Sequence, residues 1–246
     1  MQDILVFRLY APLASWGQEA VGGVRATGLC PTRSALLGLV GAALGIERED
    51  EKIQADLQTS LSFAVKQLTP THLLRDYHTT QVPSQGKQHF WTRRMELENN
   101  QKLNTILSSR DYRCDGIWII AITLKEGAVY TLSDLKKAML FPKFQLYLGR
   151  KSCPLSLPVT PQIRHHVTLK EALDSDFPPI TASARQDAFL LGKRTMVTYF
   201  WEGDKNRLGD NIEGVVLMQP WDEPLSRKRW QFKQRTQYQW SQMEGN

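Results

Sequence analysis

The sequence predicts an α+β protein, with a ferredoxin-like (RRM-like) domain over residues 1–159 and a smaller β-rich region over 160–246. Three observations carry that reading. The apolar segments follow the order β-α-β-arm-β-α-β, which is the split βαβ arrangement. One helix between the first two strands is apolar almost all round and belongs in a core. A polar stretch, with an insertion set at about 76–110, separates the second strand from the third. A compact domain keeps so long an unpatterned segment only when it has a function, often as a protruding arm.

Residues 3–10 (DILVFRLY) are apolar and β-branched enough for a buried strand. A Gly-rich loop follows, and Pro31-Thr32-Arg33-Ser34 then supplies a stop, a cap and a polar first turn. Leu36, Leu37, Leu39, Val40, Ala43, Leu44 and Ile46 make the helix beyond it apolar. Gly38, Gly41 and Gly45 weaken that helix intrinsically and predict close packing against a sheet. An acidic helix over 49–58 leads to a strand at 61–68. The arm, about 70–110, carries Arg75, Lys87, Arg93 and Arg94 beside Tyr77, Phe90 and Trp91. The most apolar strand is expected at 116–124. A helix capped by Thr131 or Ser133 comes next and ends at Pro142. Residues 145–148 read as the last short strand of the ferredoxin-like unit.

Beyond the cluster Pro154, Pro158 and Pro161, a short helix is expected at 168–173 and strands at 195–201, 214–218 and 230–240. Alternation in the last places Trp230, Phe232, Tyr238 and Trp240 on one face, with Lys233 and Arg235 on the other.

Composition narrows the function. The chain is 41% hydrophobic and 23% charged, which excludes a disordered chain, a collagen-like fibre and a disulfide mini-protein. Cys30, Cys114 and Cys153 are an odd number at wide spacings, so a reducing, cytoplasmic compartment is expected, without a zinc site. The N-terminus lacks a basic segment followed by a long apolar one, so no signal peptide is read there. The longest apolar stretch, 35–46, is far below the ~20 residues needed to span a bilayer, and no membrane partner is expected.

The net charge of +6 is mild, but its distribution is not even. Lys136, Lys137, Lys143, Arg150, Lys151, Arg164 and Lys170 lie in an acid-free run over 135–170. Arg227, Lys228, Arg229, Lys233 and Arg235 lie in another over 224–243. Acids gather at Glu47, Glu49, Asp50 and Glu51 and again over 202–213. Such segregation builds a one-signed surface of the kind polyanion binding needs, and interleaved aromatics point to nucleic acid.

Specific residues follow from that chemistry. The junction from Gly22 to Ser34 combines glycines, a helix N-terminus, Arg25, Arg33, Thr27, Thr32 and Ser34, and is read as an anion seat. It has no Gly-Lys-Ser/Thr, so nucleotide hydrolysis is not supported. Tyr147-Leu148-Gly149-Arg150-Lys151 offers adjacent cations and a stacking ring for a single-stranded backbone. Arg75 and His78 stand at the base of the arm, and Arg93 and Arg94 near its return. Lys143 joins the phosphate contacts. No paired carboxylates, catalytic serine motif or cofactor motif is present, and no cofactor is expected. The alternative is a metal-independent endoribonuclease acting on precursor RNA, with His78 or Tyr77 as its proton-transfer group.

Four separated motifs resemble one family. They are Trp16-Gly17, then Gly28…Pro31-Thr32-Arg33-Ser34-Ala35-Leu36-Leu37-Gly38-Leu39…Leu44-Gly45-Ile46, then Leu74-Arg75-Asp76-Tyr77-His78-Thr79, then Tyr147-Leu148-Gly149-Arg150-Lys151-Ser152-Cys153-Pro154-Leu155. In this order they resemble the CasD family of the type I-E CRISPR Cascade complex, across residues 1–160. Beyond that, Asp222-Glu223-Pro224 is the clearest echo, and the arm over 81–104 is not closely matched. The resemblance implies a palm with a thumb hairpin in the repeat-associated RNA-binding superfamily. It implies a non-enzymatic subunit that holds the 5′ handle of the CRISPR RNA. Its implied neighbours are the CasC backbone, the large CasA subunit and target DNA near the thumb. The reading of the residues agrees in kind, and its expected phosphate and base contacts are Arg25, Thr27, Thr32, Arg33, Ser34, Arg75, His78, Lys143, Tyr147, Arg150 and Lys151, with Arg93 and Arg94 serving the thumb.

Overall fold

Strand β1 (Gln2–Ala14) is apolar on both faces, so it can only lie inside a sheet that is covered on both sides. A computed structural model of the chain describes residues 1–18, 20, 22–83, 89–98, 103–183, 185–187, 196–226 and 229–243. The remaining strands of that region are β2 (Val24–Arg25), β3 (Leu61–Gln67), β4 (His72–Pro83) and β5 (Leu103–Leu124). Further on come β6 (Gln162–Val167), β7 (Val197–Trp201), β8 (Val216–Met218), β9 (Glu223–Ser226), β10 (Gln231–Lys233) and β11 (Gln237–Gln242). The helices are α1 (Arg33–Leu44), α2 (Glu51–Ser60), α3 (Arg93–Glu98), α4 (Leu132–Leu140) and α5 (Leu169–Leu173).

Among the described residues the main sheet runs β6-β1-β5-β3-β7-β11-β8, with β2 and β4 attached to β5. All its pairings are antiparallel except β2 with β5. Period-two alternation divides the core between its faces. Leu5, Phe7 and Leu9 point to one face, where α1 supplies Leu36, Leu39 and Val40 and α4 supplies Leu135 and Met139. Ile4 and Val6 point to the other, where α5 supplies Leu169, Ala172 and Leu173. The sheet passes without interruption across position 159, because β6 pairs with β1 and β7 with β3. No described helix is long and apolar enough to cross a membrane.

Four local expectations are corrected. Residues 145–148 form no strand; only Tyr147 makes an isolated bridge, to Pro154, and β6 takes the place beside β1. The arm is not unpatterned. Between residues 70 and 110 it forms β4, α3 and the first half of β5, paired from His72–Cys114 out to Pro83–Leu103. The expected strand over 230–240 breaks in two. β10 pairs with β9 in a separate two-stranded sheet, while β11 pairs with β7 and β8, so the four aromatics do not share a face. Finally, Gly38 faces open space rather than a sheet, and Gly45 ends α1 in a left-handed cap at φ 78°. Lys87, Arg227, Lys228 and Thr195 lie outside the described residues.

Candidate nucleic-acid interface

The hairpin of β4 and β5 leaves the sheet where β5 exchanges one set of partners for another. Gly23 brings β2 against its base, since a Cβ there would lie 2.5 Å from the Leu107 carbonyl oxygen. Arg25 thereby registers beside Arg110. Alternation places Arg110 and Tyr112 on one face of the hairpin and Asp111 and Arg113 on the other. Asp111 is 3% exposed and is gripped from β4 by Arg75, Nε to Oδ1 at 2.8 Å and Nη2 to Oδ2 at 2.9 Å. The Arg75 hydrogen bonds, with the charges of Arg75, Arg150 and Arg113, hold the Asp111 carboxyl below its ordinary range against its partial desolvation.

Arg150 arrives from a closed turn over residues 148–153. Leu148 N–H donates to the Cys153 carbonyl at 2.8 Å, and Cys153 N–H donates to the Arg150 carbonyl at 2.9 Å. Gly149 stands at φ +82°, and a Cβ there would lie 1.8 Å from the Ser15 carbonyl oxygen. The Arg150 guanidinium lies 4.8 Å from the Tyr112 ring centre and donates to the carbonyls of Asp111 and Arg25, each at 3.2 Å. The structure therefore brings Arg25, Arg75 and Arg150 together at the hairpin base, and adds Arg110 and Arg113. Tyr147 precedes that turn and Lys151 lies within it. They also line an open cavity of about 750 Å3 with Gly38, Phe144 and Trp230, where Arg48 stacks 4.2 Å over the Trp230 ring.

Other expected contacts lie elsewhere, for physical reasons. Arg33 is buried in an ion network instead of facing outward. At 2% exposed, its Nη1 meets Glu202 at 2.7 Å, its Nε meets Glu223 at 2.5 Å, and its Nη2 donates to the Gln58 and Leu61 carbonyls. The anion expected at the α1 N-terminus is the chain's own Asp222, whose Oδ2 accepts from the Arg33 backbone N–H at 2.7 Å. Arg235 is drawn inward too, bound to Asp222 through Nε at 2.6 Å and Nη2 at 2.9 Å, so it leaves the expected basic face. Thr27 is buried, and its hydroxyl accepts from the Trp16 N–H at 2.8 Å to close the loop base. Thr32 caps α1, accepting from the Ala35 N–H, and its hydroxyl shares a 3.3 Å hydrogen bond with Ser34.

Lys143 is exposed but sits at the opposite, C-terminal end of α1, its stem packed against Gly45. Arg93 and Arg94 are on α3 and pair within it, to Glu96 at 2.5 Å and Glu98 at 2.7 Å. His78 Nδ1 lies 3.4 Å from Asp76 Oδ2, and Tyr77 points to the opposite face of β4. His78 and Tyr77 do not converge on one reacting atom.

A family model for CRISPR-associated protein (Cas_Cas5) matches residues 4–238, nearly the whole of this arrangement. The chain belongs to the Cas5 family. The curated protein "CRISPR system Cascade subunit CasD" of Escherichia coli (strain K12) is 38% identical over 167 residues, covering 65% of this chain and 70% of that protein. The resemblance to the CasD family read from the four motifs is thus upheld. The fold is shared with a "CRISPR RNA-guided surveillance complex" chain at a TM-score of 0.62, 24% identity and coverage of 98% here and 89% there. It is also shared with a solved "Cas protein" at 0.59, 23% identity and coverage of 98% and 94%.

For this Cas5 chain, sequence reasoning passed over Arg110, Asp111, Tyr112 and Arg113. Residues 110–116 read RDYRCDG, with arginines three apart around an acid, so no single strand face is uniformly basic. The usable signal was the alternation of Arg110 and Tyr112 against Asp111 and Arg113 at the foot of the most apolar strand.

Proposed function

We propose that the chain is a non-catalytic Cascade subunit that grips single-stranded CRISPR RNA, by its 5′ handle, across the base of the β4–β5 hairpin. The observation that carries this reading is the gathering of Arg75, Arg113 and Arg150 around one buried carboxylate, Asp111, with Arg25 set beside Arg110 at the same hairpin base. Guanidiniums held by backbone carbonyls and a stacked ring suit phosphates and bases of a single strand. Tyr147 and Lys151 extend the path toward α1. In this reading the β6-β1-β5-β3 order with α1 and α4 is a ferredoxin-like palm. The hairpin, with Arg93 and Arg94 at its far end, is a thumb directed at target DNA near the handle. Residues 160–246 complete the palm and brace α1 through Asp222, Glu202 and Glu223. CasC and CasA are the proposed neighbours, in the cytoplasm.

The test is fluorescence anisotropy of the purified chain with handle RNA and with a scrambled RNA of equal length. Tighter binding of the handle is expected, and equal binding at all salt concentrations would contradict handle recognition. Incubation with repeat RNA in EDTA is expected to leave the RNA intact. Cleavage that a 2′-deoxy substitution abolishes would favour the ribonuclease reading instead.

A further inference from the structure

The parallel pairing of β2 with β5 sets Arg25 directly beside Arg110. Two like charges opposite one another on neighbouring strands repel, and a sheet ordinarily answers them with a carboxylate. Here none does. Asp76 stands across the ladder from Arg110, but its carboxylate lies against His78, and no ion pair joins it to Arg110. Asp111 is on the other hairpin face and is engaged by Arg75. Arg110 is exposed and has no hydrogen-bond or ion-pair partner among the described residues. Arg25 is exposed as well. Its Nη1 is held by the carbonyls of Gly22 and Val24, while Nε and Nη2 make no hydrogen bond among the described residues. A third guanidinium, Arg150, is tied to the Arg25 carbonyl at 3.2 Å and stacked on Tyr112, two residues along the same face as Arg110.

We infer that Arg25 and Arg110 jointly hold one phosphate of the bound strand, which makes Arg110 an anchor of the RNA path. The pairing costs repulsion in the free protein and is relieved when a phosphodiester enters between the two side chains. Gly23 is what allows it, because β2 could not approach β5 with any larger residue there. Arg150, fixed alongside, sets the next phosphate contact. The inference rests on the RNA reading above and adds to it a specific pair.

Its signature is a change of opposite sign in two measurements. Arg110→Ala, Arg110→Gln and Arg25→Ala are compared with the wild-type chain by RNA anisotropy across a salt series and by thermal unfolding without RNA at low salt. Each substitution is expected to weaken RNA binding about tenfold, as loss of a charge-assisted contact does. The double variant, which loses the shared phosphate contact outright, should flatten the log–log salt slope by about 0.7, and each single variant by less. The thermal midpoint of each variant is expected to equal or exceed the wild-type value, because repulsion has been removed. In the double variant Arg25→Ala/Arg110→Ala, the second change should cost less affinity than the first, since one phosphate is shared. Wild-type affinity and slope in Arg110→Ala, or a lowered midpoint accounting for lost binding in both Arg110 variants, would overturn the inference. A wild-type chain that binds no RNA would overturn the underlying reading instead.

Discussion

Arg75 and Asp111 face each other across the β4–β5 ladder and meet through two parallel hydrogen bonds of 2.8 and 2.9 Å. The acid is buried and the guanidinium is largely exposed, so the pair works as a mount that fixes a cation at the surface. Removing Asp111 deletes a negative charge beside the proposed RNA path, which by charge alone would tighten binding. Asp111→Ala is nonetheless expected to weaken RNA binding about tenfold, because Arg75 loses its fixed orientation. Anisotropy titration decides the sign.

Arg33 belongs to the scaffold, and its replacement should be read in stability. Arg33→Ala removes the guanidinium that joins Glu202 and Glu223, leaving Arg235 on Glu202 and Gln58 on Glu223, and removing one side of such a network costs about 3–5 kcal/mol. Urea unfolding should register that loss. Arg33→Lys should not restore it, because one ammonium cannot reach two carboxylates and two carbonyls in a plane.

Acid should weaken the fold through Asp174. Burial alone would raise this carboxyl, but hydrogen bonds from Lys170, Lys66 and Tyr199 outweigh it and lower it below the ordinary value. A depressed folded value means the stabilisation is complete above the unfolded value of about 3.9 and is lost as pH falls through the folded one. The midpoint of thermal unfolding should therefore be flat from neutral pH to about 5 and fall below about 4. Asp174→Asn should lower the neutral midpoint and flatten the acid limb.

Gly149 is the residue on which the Arg150 turn depends. A side chain there would need φ +82° and would collide with the Ser15 carbonyl. Gly149→Ala should cost at least about 1–3 kcal/mol of local strain and reduce RNA binding by displacing Arg150. Unfolding and anisotropy on the same preparation would check both effects.

The alternating core strands and α1 were legible because burial on both faces leaves long apolar runs, as in Ile4–Val6–Phe7 and Leu36–Val40. The Arg150 turn was legible from Tyr147 to Lys151, where cation and ring are neighbours in sequence. What stayed hidden was pairing at a distance. Nothing near Arg33 announces that Glu202, Asp222 and Glu223 will enclose it, so a buried ion network read as a phosphate seat. Arg235 was misplaced for the same reason. The break between β10 and β11 was missed because Trp230 to Trp240 keeps a period of two through a bend. The hairpin was underestimated because an exposed two-stranded ribbon needs no apolar face.

The central claim, that the hairpin base is an RNA seat, is tested most directly by the salt dependence of handle RNA binding in the wild type and in Arg150→Ala/Lys151→Ala. Each lost phosphate contact should reduce the log–log slope by about 0.7, so the double variant should be flatter by about 1.4 and bind more weakly at low salt. An unchanged slope together with unchanged affinity would contradict the account.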